Sequence, residues 1–247
     1  MRQIRVFSQE PLSGNVTITL DEGAARHVNQ VLRMKAGQEL VMFDGRGGEY
    51  PALIQTAARN HLTVVTGAHR AVECESNLHL TLWHGLCRGE RMDTVVQKAT
   101  ELGVNLLVPI ITERSVIKLS EDRSRKKLRH WHSVMVSACE QSGRNRLPKL
   151  VAPVSFTDAL VDVGSHDCAL LLDPLGEISL ADALRDATTK SRVLICTGPE
   201  GGFSDAERQA AAAAGMLPVR VGPRVLRTET APVVALGIAQ MLAGDMG

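Results

Sequence analysis

The sequence predicts an α/β protein in which a mainly parallel sheet with covering helices follows a small β-barrel unit. Three observations carry that expectation. From residue 78 onward, apolar strand-like runs alternate with amphipathic helical stretches, the pattern of a parallel sheet with helical crossovers. Before residue 72 there are instead several short alternating runs separated by turn residues, the pattern of a small barrel. Between 192 and 215, a strand, a glycine-rich loop and a capped helix follow one another directly.

Taken in order, Val16-Thr17-Ile18-Thr19-Leu20 alternates with period 2 and predicts a strand. Asp21 opens a short helix carrying His27, Val28, Val31 and Leu32 and ended by Gly37. Strands are predicted at 39–43, 49–56 and 62–66, with Asp44-Gly45-Arg46-Gly47-Gly48 as a turn. Residues 71–77 have no clear period and mark a boundary, giving units 1–72 and 73–247.

In the second unit, 78–83 reads as a strand. Residues 91–102 form an amphipathic helix with Met92, Val95, Val96, Ala99 and Leu102 on one face, stopped by Gly103. Residues 104–111 are almost continuously apolar, as expected of a strand covered on both faces. A helix over 122–142 turns Leu128, Trp131, Met135 and Ala138 inward and its basic residues outward, and a strand at 169–172 precedes a helix capped by Ser179.

The run Val193-Leu194-Ile195-Cys196 then breaks into Thr197-Gly198-Pro199-Glu200-Gly201-Gly202-Phe203, where little side chain obstructs a ligand. Ser204-Asp205-Ala206-Glu207 is a capping box for an alanine-rich helix that stops at Gly215. After a short strand at 219–221 comes a polar loop, Gly222 to Pro232, in which Thr230 is expected to cap the last helix. Residues 233–242 are nearly all apolar, so that helix should be covered on most sides.

Composition narrows the function classes. No apolar run approaches the roughly 20 residues of a membrane span, and the first residues lack the apolar core of a signal peptide. Five scattered cysteines without a Cys-x-x-Cys pair suggest reduced thiols and a cytoplasmic protein. Cys74, His79, His84 and Cys87 fit no zinc spacing, so no metal is expected. Net charge is only +1, but residues 113–150 hold ten Lys/Arg against four Asp/Glu. A central basic block in a neutral chain points to an anionic partner. Neither a G-x-G-x-x-G nor a P-loop pattern is present, which disfavours dinucleotides and nucleoside triphosphates.

The two C-terminal loops together are specific. Gly-Pro-Glu-Gly-Gly-Phe-Ser at 198–204 followed by Leu-Arg-Thr-Glu-Thr-Ala at 226–231 resembles the SPOUT-class RNA methyltransferases of the RsmE type. Lys98-Ala99-Thr100-Glu101-Leu102-Gly103-Val104 with Glu113-Arg114-Ser115, and Ala138-Cys139-Glu140-Gln141-Ser142-Gly143-Arg144, extend the resemblance over essentially the whole chain. It implies a PUA-like RNA-binding domain at the N-terminus and a SPOUT domain with a deep trefoil knot. The implied activity is S-adenosylmethionine-dependent methylation of uridine N3 in 16S ribosomal RNA of the small subunit, by a homodimer whose sites are completed by partner residues from the 140–146 region.

The cofactor would then lie against Leu172, Thr197, Gly198, Pro199, Glu200, Gly201, Gly202, Val221, Gly222, Leu226, Arg227, Thr228 and Ala231. Arg26, Arg33, Arg46, Lys126, Lys127, Arg144 and Arg146 are the candidate RNA contacts. Uracil N3 bears a proton, so the reaction needs an acceptor or a stabilising cation. Glu140, Glu200 and Glu229 are candidate acceptors, and Arg88, Arg114, Arg144 and Arg227 candidate stabilisers. A ribose hydroxyl as the methylated atom, or a non-catalytic RNA-binding assembly factor, remain the alternatives.

Overall fold

The computed structural model describes residues 3–58, 61–115, 120–185 and 192–247. They divide into two compact units, one formed by Met1–Glu75 with Val136–Leu147 and the other by Ser76–Met135 with Pro148–Gly247.

The first unit is built on strands β1 (Arg5–Phe7) and β2 (Thr17–Thr19), helix α1 (Glu22–Arg26), and strands β3 (Glu39–Phe43), β4 (Tyr50–Ala58) and β5 (His61–Thr66). The sheet order is β1-β3-β4-β5-β2, with β1 and β3 parallel and the other pairs antiparallel. Alternate residues point inward, so Val6, Leu40, Met42, Ile54, Leu62 and Val64 form a core with Val28. Asp21 caps α1, its carboxylate accepting the Ala24 N–H at 2.9 Å. The helix does not run on to Gly37 as the sequence suggested. It widens into a π turn at His27–Val31 and closes at Arg33, which has φ 55°. The Met34 N–H donates back to Val28 O at 3.1 Å, one residue wider than the usual six-to-one closure, as the preceding π turn requires, and Arg33 takes the left-handed place that glycine holds elsewhere.

The 136–147 segment is held to this unit by specific polar contacts. Glu140 Oε1 accepts the Phe7 N–H at 3.0 Å, Asn145 Nδ2 donates to Val72 O at 2.6 Å, and Arg144 is paired with Glu75 at 2.6 Å.

The second unit contains, in order, β6 (His79–Gly85), α2 (Arg91–Glu101), β7 (Leu106–Ile111), α3 (Glu121–Ser142, whose last residues belong to the first unit), β8 (Lys149–Leu150) and β9 (Val154–Ser155). Then come α4 (Phe156–Ala159), β10 (Cys168–Leu172), β11 (Ile178–Ser179), α5 (Leu180–Leu184), β12 (Arg192–Thr197), α6 (Asp205–Ala213), β13 (Leu217–Arg220) and α7 (Thr230–Ala243). All neighbouring strands are parallel, in the order β11-β13-β10-β12-β6-β7-β8, with β9 also on β7. The central strands are apolar on both faces because both are covered. Phe156 and Ala159 of α4 and Ala211 of α6 pack with Phe203 on Trp83, Leu194 and Cys196, while α2 and α5 pack on α7.

The capping box of α6 is as the sequence predicted. Ser204 Oγ accepts the Glu207 N–H at 3.3 Å and Glu207 Oε2 accepts the Ser204 N–H at 2.8 Å. The start of α7 corrects the sequence reading. The N-cap is Glu229 rather than Thr230, and its side chain makes no capping bond. Nor is α7 fully covered within its own unit. Ala235, Leu236, Ala239 and Gln240 are buried, but Met241 is 64% and Leu242 42% exposed.

Candidate active site at the carboxyl ends of three strands

Strands β10, β12 and β13 end beside one another, β10 between the other two. Ligands of open parallel sheets bind at such carboxyl ends, where neighbouring connections diverge. Here the connections enclose a cavity of about 620 Å³. Its wall brings together every predicted cofactor residue: Leu172 at the end of β10, Thr197 to Gly202 after β12, and Val221, Gly222, Leu226, Arg227, Thr228 and Ala231 after β13.

Local chemistry explains how the two loops meet. Thr228 Oγ1 donates to Gly198 O at 2.8 Å. Gly85, closing β6, lets the Pro199 backbone pack where a Cβ would collide. Gly202 and Gly222 have φ 65° and 70°, and a Cβ added to either would meet no atom within 4 Å. The side on which a side chain would stand is therefore open at both positions. Gly201 differs, because a Cβ there would lie 2.9 Å from Arg114 Cβ. What Gly201 permits is the approach of the 112–115 turn, whose Arg114 donates to Gly201 O at 3.1 Å. Glu207 Oε1 holds the same turn through the Glu113 N–H at 2.8 Å.

The base of the wall is a buried cluster. His84 lies wholly inside, its Nδ1 2.6 Å from Thr197 Oγ1 and its Nε2 3.6 Å from Cys87 Sγ. Burial pulls the His84 pKa down from 6.5 to about 4, against a small opposing pull from Glu200. Burial, aided by Glu200 and Glu229, pushes the Cys87 thiol up to about 12. Both groups are therefore neutral at pH 7.

At the rim, Arg91 reaches both loops. Its Nη1 is 2.7 Å from Glu200 Oε1 and its Nε 3.8 Å from Glu229 Oε2. Glu200 Oε1 also accepts the Arg88 N–H at 3.1 Å. Burial pushes the Glu200 carboxyl up, but its own backbone N–H, the Arg88 N–H and the Arg91 guanidinium outweigh this and hold it below its ordinary value. Among the described residues, five arginines and three carboxylates line the cavity.

Of the catalytic candidates, Arg114, Arg227, Glu200 and Glu229 lie in this wall and Arg88 lies beside it. Glu140 and Arg144 belong to the first unit, with the partners given above. Burial raises the Glu140 pKa, opposed by the Phe7 N–H. Arg144 is only 3% exposed and its guanidinium is committed to Glu75, so here it is a structural cation rather than an exposed phosphate ligand. Sequence reasoning missed Arg91, Asp173 and Arg208 in the wall. Asp173-Pro174 directly after an apolar strand was the one available signal.

The RNA candidates are also placed. Arg26, Arg33, Arg46 and Arg146 are exposed in the first unit, where Arg46 and Arg146 form a backbone bridge. On α3, Lys126 is exposed and Lys127 lies over the buried Trp131 ring at 5.5 Å.

Comparison with known proteins agrees with this architecture. Residues 74–240 match the model of an RNA methyltransferase domain, and residues 20–66 that of an RNA methyltransferase PUA domain. A ribosomal RNA small subunit methyltransferase E of Synechocystis is 33% identical, covering 89% of this chain and 71% of its own length. The Bacillus subtilis protein of the same name is 30% identical over 93% of each chain. Among solved structures, a methyltransferase from Legionella pneumophila in complex with S-adenosylmethionine has a TM-score of 0.94 at 35% identity, covering 99% of this chain and 100% of that one. Ribosomal RNA small subunit methyltransferase E of Neisseria gonorrhoeae, bound to S-adenosylmethionine, has a TM-score of 0.91 at 33% identity over the whole of both chains.

Proposed function

The chain belongs to the ribosomal RNA small subunit methyltransferase E family of RNA methyltransferases, and from that membership we propose that it methylates N3 of a uridine in the 16S RNA of the small ribosomal subunit, using S-adenosylmethionine. The observation that carries the reading is the cavity between the two glycine loops. Gly202 and Gly222 in its wall have open space where a side chain would stand, and Glu229 Oε2 is buried there without a hydrogen bond among the described residues. Those features fit a polar ligand gripped by main chain. Thr197 to Gly202 and Val221 to Thr228, with Leu172 and Ala231, would hold the donor. S-adenosylmethionine supplies an electrophilic methyl group on a sulfonium.

The chain's own residues do the rest. The loops exclude water, Arg114 and Arg227 present positive charge toward a nucleic acid, and the wall carboxylates can take a proton. Family membership also supports a trefoil knot, in which the 221–231 segment passes the 197–202 loop where Thr228 meets Gly198. N3 is a pairing position, so the base must be unpaired or flipped out. The exposed Arg46, Arg146 and Lys126 suit its phosphates. The exposed apolar end of α7 supports a homodimer in the cytoplasm, since a second copy is the simplest cover for such a face.

Calorimetric titration with S-adenosylmethionine tests the cavity assignment. Saturable binding is expected, weakened at least about tenfold in Gly201→Val, whose side chain must displace Arg114. Absence of binding to the wild-type protein would overturn the reading.

A further inference from the structure

Among the described residues, three carboxylates line the cavity: Asp173, Glu200 and Glu229. Two are already engaged. Asp173 Oδ1 accepts the Leu175 N–H at 2.9 Å and its Oδ2 faces Arg208 Nε at 3.6 Å. Glu200 Oε1 takes both the Arg88 N–H and the Arg91 guanidinium, which hold its pKa below the ordinary value despite burial and make it a poor base.

Glu229 is different, for a reason written in the sequence. It occupies the N-cap of α7, where an acidic side chain ordinarily accepts a hydrogen bond from the second or third helical N–H. Those donors are missing here. The Thr230 and Ala231 N–H groups both turn back to Arg227 O, at 2.9 and 3.0 Å, and Pro232 has no N–H. The Glu-Thr-Ala-Pro order thus denies the carboxylate its usual backbone partners. Its Oε2 is buried and makes no hydrogen bond among the described residues. Arg91 Nε, 3.8 Å away, lies beyond hydrogen-bond distance and occupies no lone pair of that oxygen. Burying a bare carboxylate oxygen is unfavourable, and a ligand N–H would relieve it.

Resting on the reading of the site as a uridine-N3 methyltransferase, we propose that Glu229 is the general base that accepts the N3 proton of the target uridine at its buried Oε2. The N3–H bond breaks and the proton forms an O–H bond on Glu229. The electron pair left on N3 forms the new bond to the donor's methyl carbon, and the carbon–sulfur pair stays on sulfur as a neutral thioether. The proton then passes from Glu229 to water, which returns the site to its resting state. The other titratable groups around Glu229 are less suited, because Glu200 Oε1 already accepts from the Arg88 N–H and the Arg91 guanidinium and its carboxyl is held below its ordinary pKa, and the Cys87 thiol is pushed up to about 12 by burial and by the two glutamates.

The test compares wild type, Glu229→Gln and Glu229→Asp, on ribosomal RNA carrying uridine or 5-fluorouridine at the target. Fluorine acidifies N3 and lessens the need for a base. Donor affinity is read separately by calorimetry. Glu229→Gln is expected to bind S-adenosylmethionine within about threefold of wild type while losing about 10²–10⁴-fold in single-turnover rate. Its residual rate should climb about tenfold per pH unit, as an uncatalysed ionisation requires. The 5-fluoro substrate should recover much of the loss, and Glu229→Asp should recover part of it. Three outcomes would overturn the proposal: an undiminished rate in Glu229→Gln, a loss matched by lost donor affinity, or no recovery with 5-fluorouridine. Failure of the wild-type protein to form 3-methyluridine would instead overturn the substrate reading.

Discussion

Replacing His84 by glutamine should remove a defined part of the protein's sensitivity to acid. His84 is completely buried beneath the cavity. Thr197 Oγ1 points toward Trp83 O at 3.4 Å and so accepts from His84 Nδ1–H, which leaves Nε2 to accept from the Cys87 thiol. A second ring proton would have no acceptor and would put a charge in an apolar interior. Burial therefore lowers the folded-state pKa from 6.5 to about 4. Between these values the unfolded chain binds a proton that the folded chain refuses, so stability falls as pH drops through that window and is unaffected above it. At pH 4.5 the linkage amounts to about 2.5 kcal/mol. Urea unfolding at pH 7.5 and pH 4.5 measures it, and taking the difference between wild type and variant cancels the other titrating groups. The variant should lose about 2.5 kcal/mol less on acidification than wild type does. An equal loss in both proteins would refute the argument that His84 is held neutral by burial.

Two further outcomes follow from the surface. Reversing the charge of Lys126 and Lys127 should lower the slope of log affinity for RNA against log salt by about 1.5, at 0.7–0.9 per phosphate contact. An unchanged slope would make the basic face of α3 a merely solvated one. Ile238→Glu, on the incompletely covered helix α7, should give a folded monomer by circular dichroism and sedimentation that has lost methyl transfer. A fully active monomer would reject both the interface and a shared site.

Where local pattern and tertiary role coincide, the sequence was a sufficient guide. The apolar run of β12, the glycines after it and the capping box of α6 each show in the local pattern, and the capping box is satisfied within itself, between Ser204 and Glu207 three residues on. Other features depend on distant partners. Nothing local shows that Val136–Leu147 belongs with the N-terminal strands. Its anchors are Phe7, Val72 and Glu75, 69 or more positions away in the chain. Lys149–Ser165 was not assigned, because two-residue strands and a single helical turn are too short to show a period. The end of α1 was misplaced because Arg33 adopts a conformation normally read from glycine. In the site, Arg91 escaped notice because its importance lies in bridging Glu200 and Glu229, 109 and 138 residues away. Thr230 looked like the cap of α7 on residue type alone, and only the turn of both following N–H groups onto Arg227 O shows otherwise.

The most direct test is to incubate small ribosomal subunits with the protein and methyl-labelled S-adenosylmethionine, digest the RNA to nucleosides, and identify the labelled product by mass spectrometry. A single labelled nucleoside, 3-methyluridine, is predicted. Label on a ribose oxygen, on another base atom, or on no nucleoside at all would contradict the assignment of this cavity to uridine N3 methylation.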